Sequence, residues 1–299
     1  MEFTWLDDFL ALAETGHFSR AAERRNLTQP AFSRRIQALE DWVGAPLFHR
    51  DARPVALTEA GERFRPAAEE ALGALARGRT EAREAGGAAA ATLRFAATHA
   101  LSLTFLPAWL HTLEAEVPLG PVRLMADSME ACERILLAGQ AHFLLCHHHD
   151  RAPSRLDPVE CPFRALGTDV LIPVCAPGPG GAPRFPAVPV GSTPAPHLAY
   201  GPESGMGRIL AAAALPAALE PVFTSRVATV LVTAALDGRG LAWLPLSLAR
   251  EHLEARRLVR AGDTSWDVPM EIRIHRAPHV SPAAAAFWAR IGGTAQPPA

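Results

Sequence analysis

Along the first 60 residues the apolar positions recur at helical rather than strand spacing. Leu6, Phe9, Leu10 and Ala13 share one face, and Phe32, Ile36, Leu39 and Val43 share another. Between them lies a short alanine-bearing helix, Ser19 to Arg25, ending in a tight connection at Asn26-Leu27. Thr28 is placed to cap a third helix, and Pro30 falls in its first turn, where a missing N–H costs nothing. On a helical wheel Phe32, Ile36 and Leu39 cluster on one side, while Pro30, Ser33, Arg34 and Gln37 point the opposite way.

That outer face carries the donors and acceptors that base edges require. Arginine grips guanine O6 and N7 bidentately, and glutamine does the same for adenine N6 and N7. Gln29 and Arg35 sit on the flanks, where phosphate contact is the more natural role. A solvated helix face would show the same periodicity, so the segment C-terminal to this helix matters. Residues 50–58 read as a short hairpin bearing Arg50 and Arg53, a wing able to lie along the backbone or minor groove. Between His17 and Leu57 seven arginines face only Glu23, Glu40, Asp41 and Asp51, so this segment is locally positive.

Thr58 can cap a helix running to about Ala85, with Phe64, Ala68, Ala71, Leu72, Leu75 and Ala82 as a thin apolar stripe. So slight a stripe on so long a helix calls for a partner helix, most simply a second copy. Gly86-Gly87 and four alanines mark a hinge. From Thr92 onward strands alternate with helices: a strand at 93–97, a helix from Ser102 to Leu113, a strand at 122–126, a helix at 129–139 and a strand at 142–146. A second such unit begins at Asp169 and runs through 197–200, 206–214, 222–225, 227–237 and 241–245. Glu271 to His275 reads as a returning strand and 282–291 as a last helix. Repeated strand–helix–strand units imply a mainly parallel sheet with helices on both faces.

Ala21-Ala22, Thr28-Gln29-Pro30-Ala31-Phe32-Ser33-Arg34-Arg35-Ile36, Leu39-Glu40, Val43-Gly44, Leu47-Phe48, Arg50 and Leu57-Thr58-Glu59-Ala60-Gly61 together resemble the DNA-binding end of LysR-type transcriptional regulators. The run Gly238-Arg239-Gly240-Leu241-Ala242-Trp243-Leu244-Pro245 resembles the effector domain of the same family, which the rest of the chain matches more loosely. One departure is His142, where the family usually has aspartate. The resemblance implies an α/β protein with an N-terminal winged helix-turn-helix (residues 1–58), a linker and dimerisation helix with hinge (59–90) and an effector-binding domain (91–299). That domain would comprise two Rossmann-like subdomains similar to periplasmic binding proteins, one at about 91–161 with 268–299 and one at about 162–267. The implied partners are double-stranded DNA with an inverted repeat, a second copy of the chain in a homodimer or homotetramer, and a small-molecule effector.

In open α/β sheets ligands bind beyond the carboxyl ends of strands, often at helix N-termini. That rule selects Thr98, His99 and Ser102 after the first strand, Ser128 after the second, and His147 and His148, with His149, after the third. In the second unit it selects Ser204, within Tyr200–Gly205, and Thr224, within 224–226. Each hydroxyl could equally be a helix cap. Residues 146–150, Cys-His-His-His-Asp, hold metal-ligating side chains, but neighbours on a strand point to opposite faces and cannot surround one ion unaided. No metal and no cofactor is expected. Residues 98–104 and 143–146 resemble the hypochlorite-responsive LysR subgroup, which makes methionine or cysteine oxidation the alternative mode of sensing. Met206 is the redox candidate, with Met125 and Met129 behind it, although methionine often serves only to fill a core.

Composition narrows the alternatives. The 299 residues carry 29 basic and 31 acidic side chains, and every basic residue is arginine. A formal charge of −2 does not fit indiscriminate coating of nucleic acid. Four cysteines lie without CxxC spacing, which argues against a zinc site or a disulfide framework. No apolar run approaches a membrane span and no signal-peptide pattern opens the chain, so a cytoplasmic protein without membrane contact is expected. No GxSxG elbow, P-loop or complete GxGxxG is present, and Gly205-Met206-Gly207 alone is weak, so the chain is not expected to be an enzyme.

Overall fold

The computed structural model describes residues 2–85, 92–116 and 119–291. The expected hinge at Gly86-Gly87 lies outside the described residues.

Three helices, α1 (Phe3–Thr15), α2 (Phe18–Arg24) and α3 (Gln29–Val43), pack around Leu6, Phe9, Leu12, Phe32, Ile36 and Leu39, all buried. Helix α1 ends at Gly16, whose φ of 63° favours glycine. A Cβ there would also lie 2.9 Å from the Cβ of Pro54, so the wing seats directly on the helix end. Asn26 makes the α2–α3 turn at a φ of 55°, a conformation asparagine tolerates. Thr28 stands at the N-cap of α3 as expected, but its hydroxyl makes no capping bond. The wing is an antiparallel pair, β1 (Phe48–His49) and β2 (Ala56–Leu57).

Helix α4 (Glu59–Ala85) starts where Thr58 Oγ1 accepts from the Gly61 amide at 3.0 Å. Its stripe is not wholly left for a partner, which corrects the expectation from the sequence. Phe64, Ala68, Ala71 and Leu72 join the core of the first three helices, and Phe64 meets Phe9 edge-on at 5.3 Å. The first half of α4 thus finds its partner within its own domain, while Leu75 remains 44% exposed.

The larger unit is built on a mixed sheet of seven strands. In its first half β3 (Leu93–Thr98) pairs in parallel with β4 (Val122–Asp127) and with β5 (Phe143–His148). Helices α5 (His99–Thr104), α6 (Leu106–Glu116) and α7 (Met129–Leu137) make the connections. The single helix expected over 102–113 is therefore broken at Phe105, because Pro107 has no N–H to carry the ladder through.

Strand β6 (Phe163–Cys175) pairs antiparallel with the last strand from Phe163 to Leu171, and the two run through both halves. The second half adds a separate two-stranded parallel sheet of β7 (Ala195–Tyr200) and β8 (Leu219–Ser225), the helices α8 (Gly205–Ala213), α9 (Ala228–Leu236) and α10 (Leu246–Glu254), and β9 (Ala242–Pro245) and β10 (Val259–Arg260), both on β6. The chain then returns along β11 (Val268–Arg276), which also pairs with β5, and ends in α11 (Pro282–Arg290). Leu166, Ile272 and Ile274 pack into the core of the first half, whereas Leu171, Val268 and Met270 pack into that of the second. The two halves therefore share β6 and β11, and the border falls inside these strands.

Candidate DNA-binding face and effector cleft

Helix α3 presents its outer side as the wheel requires. Gln29, Pro30, Arg34 and Gln37 are exposed and Ser33 is half-buried. Among the described residues Arg34 and Arg53 form no ion pair, nor does Arg20 at the start of α2, which helical periodicity does not single out although it precedes the paired alanines. The other arginines of this face are engaged. Asp8, fully buried, accepts from Arg25 Nε at 2.7 Å and from Arg35 at 3.3 Å, so Arg35 braces α3 against α1. Arg50 donates to Glu40 at 2.6 Å and to Gln37 at 3.0 Å, and lies 5.7 Å from the centre of the Phe18 ring. The same Glu40 accepts from the backbone amides of Leu47 and Phe48 at 2.8 and 3.2 Å. One buried carboxylate thereby sets the wing against the recognition helix.

Within the larger unit a cavity of about 30 Å³ opens between its two halves. Of the residues selected from the sequence, Thr98, His99, Ser128, His147, Ser204 and Met206 line it. Ser102, His148 and Thr224 do not. Ser102 Oγ donates to the His99 carbonyl at 2.8 Å, closing a turn, and Thr224 is exposed on β8. His148 faces away from His147, as alternation along β5 dictates, and pairs with Asp150 at 3.4 Å. Asp127, Met129, Tyr200 and Arg226 complete the wall. Tyr200 and Arg226 stand in the very loops that the sheet rule selects, but the side chains it singles out there are their neighbours.

The N-termini of α7, α8 and α9 all reach this cavity, at Met129, Gly205 and Ala228, and turn the positive ends of their dipoles toward it. Ser128 Oγ accepts from the Ala131 amide at 3.3 Å, and Asp127 Oδ1 from the Ser128 amide at 2.7 Å. Glu133, fully buried on α7, accepts from Arg208 on α8 at 2.9 and 3.0 Å and latches the two halves beside the opening. Gly207 lets α8 close on the end of β7, since a Cβ there would stand 2.5 Å from the Gly201 carbonyl.

His147 is 5% exposed, and its Nε2 lies 3.1 Å from Asp169 Oδ2. Ser247 donates to the same carboxylate through its hydroxyl at 2.5 Å and its amide at 3.2 Å. Burial opposes ionisation of Asp169, but the hydrogen bonds from His147, Ser247 and the Val170 amide hold its pKa below the usual carboxylate value. This support behind His147, drawn from β6 and α10, has no local signature in the sequence. Three residues of the wall each carry a buried polar atom that has no partner among the described residues: Thr98 Oγ1, His147 Nδ1 and Tyr200 OH. Burial pushes the Tyr200 phenol far up, so it stays a neutral donor.

Among the described residues no group of three or more His, Cys, Asp or Glu is placed to hold a metal ion, and no helix is long and apolar enough to cross a membrane. All four cysteines are buried. Burial raises the thiols of Cys132 to about 12 and of Cys161 to about 11, and shifts Cys146 and Cys175 the same way. None has the lowered pKa of a reactive thiol.

Residues 3–62 match the bacterial regulatory helix-turn-helix family of the LysR type, and residues 86–296 match the LysR substrate-binding domain. The chain belongs to the LysR family: it is a DNA-binding transcriptional regulator with an effector-binding domain, of a kind that works as an oligomer. The HTH-type transcriptional regulator YjiE of Escherichia coli K12 is 31% identical over 300 residues, 97% of this chain and 94% of that protein. Among solved structures, full-length HypT of Salmonella typhimurium, a hypochlorite-specific LysR-type regulator, is 31% identical with a TM-score of 0.56 over 98% of each chain. Vibrio fischeri DarR in complex with DNA is likewise 31% identical, with a TM-score of 0.56 over 97% of this chain and 98% of that one.

Proposed function

We propose that this regulator reads an inverted-repeat operator through Ser33, Arg34 and Gln37 of α3, with Gln29, Pro30 and Arg53 placed for the backbone, and that a small polar effector in the cleft controls it. Arg35 and Arg50 serve chiefly to hold the reading helix and wing in position. The protein acts in the cytoplasm as a homo-oligomer, and the cleft binds without catalysing. A two-fold dimer imposes its symmetry on the operator, which is why an inverted repeat is expected. The effector works by binding one quaternary arrangement better than another, and a tenfold shift requires about 1.4 kcal/mol of differential affinity.

The observation that carries the effector site is the set of unpartnered atoms around one cavity. A buried hydroxyl without a partner costs roughly 1–3 kcal/mol, and a bound ligand removes that cost. This makes Tyr200→Phe a two-sided test, read by melting temperature with and without small acids. The variant should melt at or above the wild-type temperature when free, and lose most of the shift that the wild type shows with its ligand. A variant that melts lower when free and keeps the full ligand shift would exclude Tyr200 from the site.

A second reading has one observation in its favour. Met206 lines the same cavity, and HypT, which the chain resembles over its full length, is hypochlorite-specific. On this reading oxidation of the Met206 thioether to a sulfoxide would put a polar group into the cleft. Hypochlorite should then alter DNA binding of the wild type but not of Met206→Leu, and an equal response from both would dismiss it.

A further inference from the structure

We infer that Gln37 reads an adenine in one fixed orientation, and that Arg50 from the wing and Asp41 one turn along α3 are the positioning residues that fix it. The inference rests on Gln37 facing the base edges, and goes on to name the base and the direction in which it is read. Glutamine alone is an ambiguous reader, because its amide turned end for end presents a donor where an acceptor stood. Here the two ends are told apart by their neighbours. Arg50 Nη2 donates to Gln37 Oε1 at 3.0 Å, and Gln37 Nε2 donates to Asp41 Oδ1 at 3.1 Å. A guanidinium has only donors and a carboxylate only acceptors. Turning the amide would set N–H against N–H at Arg50 and oxygen against oxygen at Asp41. Chemistry therefore dictates the order, with Oε1 toward the wing and Nε2 toward the C-terminal end of α3.

These two bonds use only half of the amide. Its nitrogen carries a second N–H and its oxygen a second lone pair, and no other hydrogen bond engages them among the described residues. In a bidentate contact with a base the two partner atoms stand side by side. Arg50 and Asp41 do not, since among the described residues they form no ion pair with one another, so they do not share that edge of the amide. Gln37 itself is exposed on the outer face of α3. An adenine edge sets the N6 amino donor beside the N7 acceptor, which matches a lone pair beside an N–H. Guanine sets two acceptors there, O6 and N7, and one of them would face Oε1. Adenine N6 thus lies toward the wing, which also decides the strand that carries the adenine. Both positioning bonds are weak while water surrounds them, and they gain strength where DNA excludes it.

The test selects duplexes from a random pool with the full-length protein, then measures competition by synthetic versions of the selected duplex. The Gln37 position is the one whose preference disappears in Gln37→Ala. There the wild type should favour adenine over guanine, and over the inverted T·A pair, by roughly 5- to 150-fold, the discrimination of one bidentate contact. Two analogues that still pair with thymine separate the atoms: 2-aminopurine lacks the N6 donor and 7-deazaadenine lacks the N7 acceptor. Each should lose at least about fivefold with the wild type and nothing with Gln37→Ala. Asp41→Leu and Asp41→Asn remove the same charge and should raise affinity for all DNA alike, but only asparagine still offers Gln37 an acceptor. The adenine-over-guanine preference should be kept in Asp41→Asn and fall at least about threefold in Asp41→Leu. In Asp41→Leu combined with Arg50→Leu adenine and guanine should bind within about threefold of each other. The preference read by Arg34 stays unchanged throughout, and circular dichroism checks the fold. Preference for another base at this position, full binding of either analogue, or equal preference in Asp41→Leu and Asp41→Asn overturns the fixed amide and leaves Gln37 as a base contact. Every positional preference intact in Gln37→Ala removes Gln37 from base reading, and the inference with it, and leaves Ser33 and Arg34 as the readers.

Discussion

Removing the Glu40 carboxylate should loosen the wing from the recognition helix. Glu40 is 6% exposed, and its two oxygens accept from the Leu47 and Phe48 amides and from Arg50. Glu40→Ala leaves two buried amide donors without a partner, at roughly 1–3 kcal/mol each. The ion pair adds little, about 0–1 kcal/mol, because the Arg50 side chain is 39% exposed and screened by water. Water entering the hole offsets part of the cost, so a loss of about 2–4 kcal/mol is expected. Glu40→Gln keeps an acceptor for both amides and gives up only the charge, so it should cost about 1 kcal/mol or less.

Hydrogen exchange over residues 44–58 reads this directly. Protection should fall roughly 30- to 700-fold in Glu40→Ala and less than about tenfold in Glu40→Gln, the ratios that those free energies correspond to. DNA binding supplies the second readout. If Glu40 places the wing, Glu40→Ala weakens binding to operator and random DNA alike. If Arg50 were held back from phosphate by Glu40, its release would tighten random binding instead. Equal protection in the two variants, or tighter random binding by Glu40→Ala, would refute the bracing role.

The same geometry sets three further outcomes. Arg34→Ala should cost about 1–3 kcal/mol on the operator and relax preference at one base pair, whereas Arg53→Ala should weaken all sequences similarly and reduce the salt slope by about one, both read by fluorescence anisotropy; equal losses on operator and random DNA for Arg34→Ala would remove it from base reading. Leu75→Asp should shift the sedimentation of the full chain toward monomer with helix content retained, whereas Leu72→Asp should also lower thermal stability, because Leu72 packs in the N-terminal core and Leu75 is exposed; an unchanged sedimentation coefficient for Leu75→Asp would discount α4 as an interface. Burial lowers the pKa of His142, His197 and His275 from 6.5 to about 4, so between these values the unfolded chain binds more protons and stability falls as pH drops. Each histidine adds a slope of up to about 1.4 kcal/mol per pH unit in that window, so the urea midpoint of the larger unit should drop steeply below pH 6.5, and His275→Gln should remove about one proton from the slope; a flat midpoint from pH 6.5 to 4.5 would refute it.

What the sequence makes legible here is whatever a single element decides. Phe32, Ile36 and Leu39 turn inward and Arg34 outward because 3.6 residues make a turn, and no distant partner alters that. Thr98, Ser128 and Ser204 can be picked out because the ends of parallel strands and the starts of helices lie where a cleft must open. Arg35 and Arg50 show where local reasoning stops. Each sits on a face or hairpin suited to phosphate, but Asp8 and Glu40, 27 and 10 residues away in sequence, engage them in the fold. Leu72 behaves the same way: its stripe is correctly helical, but whether the stripe meets α1 or another chain is a question of packing.

His147 combines both cases, and its chemistry depends on the less legible one. Its position at the end of β5 is readable from the pattern, but a histidine there could be a donor, an acceptor or a metal ligand. The ring is held in place by Asp169 from the middle of β6, itself bonded by Ser247 from α10, which reach it only because β6 crosses from one half of the larger unit to the other. The crossing strands therefore do more than join two halves. They deliver, from sequence 22 residues away, the carboxylate that holds His147 Nε2 beside the cleft.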